Sequence, residues 1–254
     1  HKFNKLAEDN MTLDQAQTLW TLTSGQTYTE RLNILANYID NMSADDKNKL
    51  LTMIDEEDQV ADEKTQSAIP VPVGSRTNIV YRKLEHALSG ASGTPISPNI
   101  LDAFARYPNP NWHKSIAVNK NVSPEILDML AETDDKWLLA NIVENDNVTQ
   151  ETLTKIFNET SSPAVLAGIG RNNNTPQHIL VELPKKDQVF IRASVAMNKN
   201  LPEKTRYLLS QDKAEDVRAA IDGTYTRASV ARYYSAFNPM TPPPKRTNTK
   251  PGVS

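Results

Sequence analysis

A chain of 254 residues can bury a substantial core, but 38% hydrophobic content and a mean hydropathy of −0.54 suit a polar, high-surface shape better than a compact α/β enzyme. A net charge of −3 and a pI near 5.9 supply no global attraction to nucleic acid or to an anionic membrane. The absence of cysteine removes disulfides, thiolate metal sites, iron–sulfur ligation and cysteine nucleophiles together.

No apolar run approaches the roughly 18 residues that a membrane helix needs. The opening "HKFNKLAEDN" has neither the apolar core of a signal peptide nor an initiator Met, as in a trimmed or processed chain. Charge is uneven: residues 1–95 hold 9 Lys/Arg against 14 Asp/Glu, net −5, so the remainder carries +2.

Residues 1–58 read as an N-terminal segment of three short helices. "TLDQAQTLWTL" opens with Thr12 and places Gln15 three positions on, the spacing of a capping box. "TYTERLNILANYID" sets Tyr28, Leu32, Leu35 and Ile39 at helical intervals, and "SADDKNKLLTMID" begins at Ser43 and closes on Leu50, Leu51, Met53 and Ile54. Residues 59–95 read as a linker with one helix. The acidic run "DEEDQVADE" (55–63) is expected to be a solvated helix end or linker, and Pro70, Pro72 and Gly74 interrupt any helix beyond it. "NIVYRKLEHALSG" is the one helix, stopped by Ser89-Gly90.

From Ile96 the sequence repeats itself. The openings Ile96-Ser97-Pro98, Val122-Ser123-Pro124, Val148-Thr149-Gln150, Thr175-Pro176-Gln177 and Leu201-Pro202-Glu203 stand 26, 26, 27 and 26 residues apart. Proline suits the first turn of a helix, where its missing N–H costs nothing, and Ser or Thr before it suits the N-cap. One apolar column then runs Leu101, Leu127, Leu153, Leu180, and a second runs Phe104, Leu130, Ile156, Leu183, Leu209. A second short helix in each unit carries the pairs Trp112/Ile116, Leu138/Ile142, Val165/Ile169, Ile191/Val195 and Val217/Ile221.

A two-helix unit of this size cannot bury its own stripes, so the fold expected over 96–226 is an all-α, αα superhelical solenoid of about five 26-residue repeats. Asn-x-Asn turns at Asn119, Asn145, Asn172 and Asn198 separate the units. Asparagine tolerates left-handed backbone and hydrogen-bonds nearby main chain, so these turns read as structural hinges. The sequons at Asn121 and Asn147 fall inside the turns and read as structure too.

The pattern N-x-N-[VTL]-[SP]-x-E-x-L, followed by a second helix carrying "IRASVAMN" or "VRAAI", resembles the leucine-rich repeat variant family and, more broadly, HEAT-like αα superhelices. The resemblance covers about half the chain. It implies a right-handed superhelix in which an α-helix alternates with a second element of partly 3₁₀ character. The iron–sulfur cluster of some members does not carry over to a chain without cysteine.

His1, His86, His113 and His178 show no metal-ligand spacing, and neither a phosphate-binding glycine loop nor a nucleophile elbow occurs. Gly168 and Gly170 read as small residues for close packing. No catalytic residue, cofactor or metal is assigned, and the chain is read as non-enzymatic. The candidate partner-binding residues are Trp137, at the start of a second helix, and an arginine strip of Arg171, Arg192 and Arg218, whose competing reading is an ion-pair ladder with Asp187 and Asp216.

Residues 227–254 read as a capping helix followed by a proline-rich basic tail with Lys245 and Arg246. The function expected is a scaffold for protein partners in a larger assembly, where acidic N-terminal helices and the basic tail join neighbouring copies. The Asn- and Thr-rich composition associates it with virion or phage particles. The alternative is a nucleic-acid-binding repeat protein that grips phosphates with the same arginines and the tail, with Trp137 stacking on bases. No membrane is expected, and the compartment expected is the cytoplasm or a virion.

Overall fold

The computed structural model describes residues 11–68 and 83–224, with backbone alone for 62–68. The expected capping helix and basic tail, and most of the proline-bearing linker, lie outside the described residues. Every regular element among the described residues is helical: fourteen α-helices and two 3₁₀ turns. The chain divides into two compact units, His1–Val148 and Thr149–Ser254, a boundary that falls inside the repeated segment.

The first unit starts with α1 (Leu13–Leu22), whose capping box joins Thr12 and Gln15 reciprocally as the spacing predicts. A second box, Thr27 with Glu30, opens α2 (Tyr28–Ala36). α3 (Ala44–Ala68) runs straight through the acidic stretch, which reads as a solvated helix end or a linker, so the helical alternative is the one that holds. Its inner face continues Leu50, Leu51, Ile54 to Asp58, all buried, so a polar residue occupies the next core position and hides the periodicity. Tyr107 Oη meets Thr52 Oγ1 at 3.2 Å and Asn109 Nδ2 donates to Asp55 Oδ1 at 3.0 Å, which ties α3 to the chain 54–55 residues later.

α4 (Lys83–Leu88) packs on α2 and on α6, and α2 packs on α5. Helices α2 and α4 therefore act as a pair upstream of the repeated ones, with α3 inserted between them. The repeated pairs of this unit are α5 (Pro98–Arg106) with α6 (Pro110–Ala117), and α7 (Pro124–Leu130) with α8 (Lys136–Glu144). First helices pack in the order α2, α5, α7, and second helices in the order α4, α6, α8. Trp112 fills the centre, its ring 4.8 Å from Phe104 and 5.0 Å from Tyr107 between centroids.

The second unit holds α9 (Gln150–Glu159) with α10 (Pro163–Arg171), α11 (Gln177–Glu182) with α12 (Val189–Ala196), and α13 (Glu203–Ser210) with α14 (Glu215–Ile221). α12 lies between α10 and α14, as the middle of three stacked second helices. Gly170 allows this approach: a Cβ there would stand 2.8 Å from Val195 Cγ2.

All the column residues named from the sequence are buried except Ile221, which is half-buried on the last described helix. Each such Leu or Ile contributes on the order of 1.5–3 kcal/mol by leaving water, which no single pair could secure alone.

Two local expectations can be made more specific. The second elements, expected to be partly 3₁₀, are α-helices in their bodies: His113 N donates to Asn109 O and Leu166 N to Ser162 O, both i→i−4 bonds. Seven to nine residues suffice to close such bonds, and i→i−3 bonds of 3₁₀ type occur at the helix ends, as from Ile191 N to Gln188 O and from Asn198 N to Val195 O. The 3₁₀ turn of the second unit lies instead at Leu183–Lys185, after α11. The prolines also differ in place. Pro98 and Pro124 start their helices, whereas Pro176 and Pro202 are the caps, and the Thr175 hydroxyl donates back to Ile169 O.

Candidate functional site

The Asn-x-Asn turns work through side chains rather than through unusual backbone. Among the described residues only glycines have positive φ, so no asparagine uses the left-handed region. The first asparagine of each turn folds its Oδ1 onto the N–H two residues later: Asn119 to Asn121, Asn145 to Asn147, Asn172 to Asn174 and Asn198 to Asn200. In Asn119, Asn145 and Asn198 that leaves the amide Nδ2 pointing at the segment one repeat back.

In the first unit Asn145 Nδ2 donates to Ala117 O at 2.8 Å and Asn119 O at 2.9 Å, and Asn119 Nδ2 donates to Leu88 O at 2.7 Å. In the second unit Asn198 Nδ2 donates to Gly170 O at 2.9 Å and Asn172 O at 2.7 Å. Asn147 and Asn200 add outer bonds, to Lys120 O and Val122 O, and to Asn173 O. These acceptors are helix-end carbonyls and turn carbonyls that lack partners within their own helix. Gly90, at φ 75°, stands where the preceding asparagine would fall, and a Cβ there would lie 3.3 Å from Asn119 Nδ2.

The arginine strip is not a free surface. Arg192 is 6% exposed and grips Asp212 with two bonds, Nε to Oδ2 at 2.7 Å and Nη2 to Oδ1 at 3.0 Å, while Nη1 donates to the carbonyls of Lys186 and Asp187. The carboxyl of Asp212 is held below its ordinary range first by that hydrogen bond. Arg218 Nη1 donates to Asp212 O, and Arg171 Nη1 donates to Ser194 Oγ at 2.9 Å. The Arg192 and Arg218 guanidiniums thus lie against loop carbonyls, and that of Arg171 against a hydroxyl. Arg192 takes Asp212 as an ion partner, and the charge of Asp187 acts on it as well. Lys245 and Arg246 lie outside the described residues.

Trp137 is 56% exposed at the start of α8. Asp135, the N-cap, accepts from the N–H groups of Trp137 and Leu138 and pairs with Lys114 at 2.9 Å, so the indole projects from a firmly set turn. Other large apolar side chains left outside include Val181 on α11 and Tyr207 and Leu208 on α13.

A cleft of about 620 Å³ in the first unit was not read from the sequence. Arg31, Tyr28, Glu57, Lys83, His86 and Ser92 are among its lining residues. Arg31 is 4% exposed; its Nη1 meets Glu57 Oε1 at 3.0 Å, its Nη2 donates to Trp20 O, and its Cζ lies 3.7 Å from the centre of the Trp20 ring. Trp20 Nε1 closes the cluster on Glu57 Oε2 at 2.8 Å. Burial, then the charges of Asp58 and Glu57, push the Tyr28 phenol up to about 12. The sequence does not mark it, because Thr29 and Arg31, polar residues, share the inner face of α2 with Leu32 and Leu35.

Among the described residues no group of three or more His, Asp or Glu could hold a metal ion, and no helix is long and apolar enough to cross a membrane. No family model matches the chain, and a search of curated proteins returns no match.

Proposed function

We propose that this chain is a non-enzymatic scaffold, a structural component of a larger assembly such as a virion or phage particle. In this reading the helix pairs of each unit are segments of an αα solenoid of the leucine-rich repeat variant or HEAT-like kind. The observation that carries it is an interior in which, among the described buried side-chain polar atoms, Arg31 Nε alone lacks a hydrogen-bond partner, combined with apolar side chains left outside in register. Val181 and Tyr207 stand 26 residues apart, at the same position of consecutive first helices, and are 44% and 67% exposed. Exposed apolar groups repeated in register are what a partner surface needs.

Co-purification from native material tests this directly. Recovery in fixed stoichiometry within a large particle is expected, and recovery as a free chain at native concentration overturns it. The alternative of phosphate binding loses its main cations, since Arg192 and Arg218 are committed to Asp212. A salt titration with duplex or single-stranded nucleic acid should find no binding that weakens steeply between about 50 and 200 mM salt.

A further inference from the structure

We propose that the cleft of the first unit is a binding site for a small oxyanion, a phosphate or carboxylate carried on a hydroxylated body. The inference is independent of the scaffold reading, since a cleft within one unit can hold an effector whatever the outer faces dock.

At about 620 Å³ the cleft falls within the roughly 300–1,000 Å³ of small-molecule sites. The loop between α1 and α2, α2 itself, α3 and α4 all contribute to its walls. The segment after α4 is fixed to α2, where Thr29 Oγ1 meets Ser92 Oγ at 3.0 Å.

The one carboxylate among the described lining residues is already engaged. Glu57 accepts from Arg31 at Oε1 and from Trp20 Nε1 at Oε2, and the guanidinium balances its charge. Lys83 is then the cation in excess: Arg31, Glu57 and Lys83 sum to +1, with His86 neutral. The donors, by contrast, are uncommitted. Among the described residues, the side chains of Lys83, Ser24 and Gln26 are exposed and make no hydrogen bond or ion pair.

Arg31 gives an independent sign of the same polarity. It lines the cleft at 4% exposure, and its Nε is the single buried side-chain polar atom among the described residues without a hydrogen-bond partner. An unpaired buried donor is unfavourable, and negative charge in the cleft offsets it through the field, without contact. Burial keeps the Tyr28 phenol protonated up to about 12, so this ring adds a hydroxyl and no negative charge. Asp58, whose charge also acts on Tyr28, is 3% exposed and does not line the cleft. Walls with spare donors and a spent acceptor select a ligand that brings acceptors and negative charge.

His86 lines the cleft whereas His113 and His178 do not, so the imidazole proton resonances of the full chain carry both reporter and internal reference. They are followed during titration with glycerol 3-phosphate, with glycerate and with glycerol, at constant pH and ionic strength. The phosphate, the carboxylate or both should move the His86 signals saturably, with half-saturation at or below about 5 mM, while His113 and His178 stay still. The more effective of the two anions names the preferred group. Lys83→Gln should raise that half-saturation about tenfold, with unchanged His113 and His178 signals as the check on folding. No saturable shift with either anion, an equal shift with glycerol, or an unchanged half-saturation in Lys83→Gln would each overturn the site, whatever native co-purification shows about assembly.

Discussion

The cluster around Arg31 and the asparagine turns solve the same problem by different means. Around Arg31, buried polar groups are satisfied by an irregular set: contacts of 11, 26 and 37 residues in separation join one guanidinium, one carboxylate and one indole. Between helix pairs, one neutral amide reaches main-chain carbonyls 26 and 28 residues back, and the same bond recurs in both units. The cluster depends on particular partners and occurs once. The asparagine bond uses acceptors that every residue supplies, so it can be copied wherever the spacing holds. It also avoids taking a charge out of water, which the guanidinium cannot.

The sharpest separation comes from the two buried arginines. Arg192→Met leaves Asp212, 11% exposed as a side chain, without its counter-ion, and should cost about 3–5 kcal/mol in urea unfolding. Arg31→Met should cost less, about 1–3 kcal/mol, because the Glu57 side chain is 43% exposed and can turn to water. Equal losses would remove the distinction. The Asp212 carboxyl also sets a pH signature. Its folded pKa lies below the unfolded value, so its stabilisation is complete above about pH 3.9 and is lost as pH falls through the folded value. Arg192→Met should flatten that acid limb.

Packing between stacked second helices gives the next effect. Gly170→Ala forces a Cβ against Val195 and should destabilise by about 1–3 kcal/mol in thermal unfolding. Gly25→Ala, where a Cβ meets nothing within 4 Å, should stay within about 0.5 kcal/mol.

For the Arg31 cluster, absorbance titration of the tyrosinates should show one phenol that ionises only near pH 12 and disappears in Tyr28→Phe. Because the folded pKa is raised, the unfolded chain releases that proton first, and stability should fall as pH rises from about 10 towards 12. The smallest effect is expected at Trp137→Ala, within about 0.5 kcal/mol in denaturant unfolding, since its side chain is largely in water.

Much of this architecture was legible in the sequence because apolar side chains repeat at a fixed spacing. Leu101, Leu127, Leu153 and Leu180 are all buried, and the Thr12 capping box forms as its spacing implies. Legibility ended where polar residues take core positions. Asp58 sits where the α3 stripe would show an apolar residue, so the sequence could not separate a continuing helix end from a linker over 55–63. Arg31 and Thr29 masked the inner face of α2, and the pairing of α2 with α4 was hidden by the insertion of α3. For the arginines the sequence offered both a partner-binding strip and an ion-pair ladder, and it places Arg192 beside a core column without revealing that Asp212, 20 residues on, folds against it. Trp137 is the candidate whose exposure matches a surface role.

The central claim is that asparagine amides bond one helix pair to the next. Urea unfolding of Asn198→Ala tests it most directly, with the exposed Asn121→Ala as its reference. Loss of the donor to Gly170 O and Asn172 O should lower stability by about 2–3 kcal/mol, against less than about 0.5 kcal/mol for Asn121→Ala. Equal, small losses at both positions would contradict it.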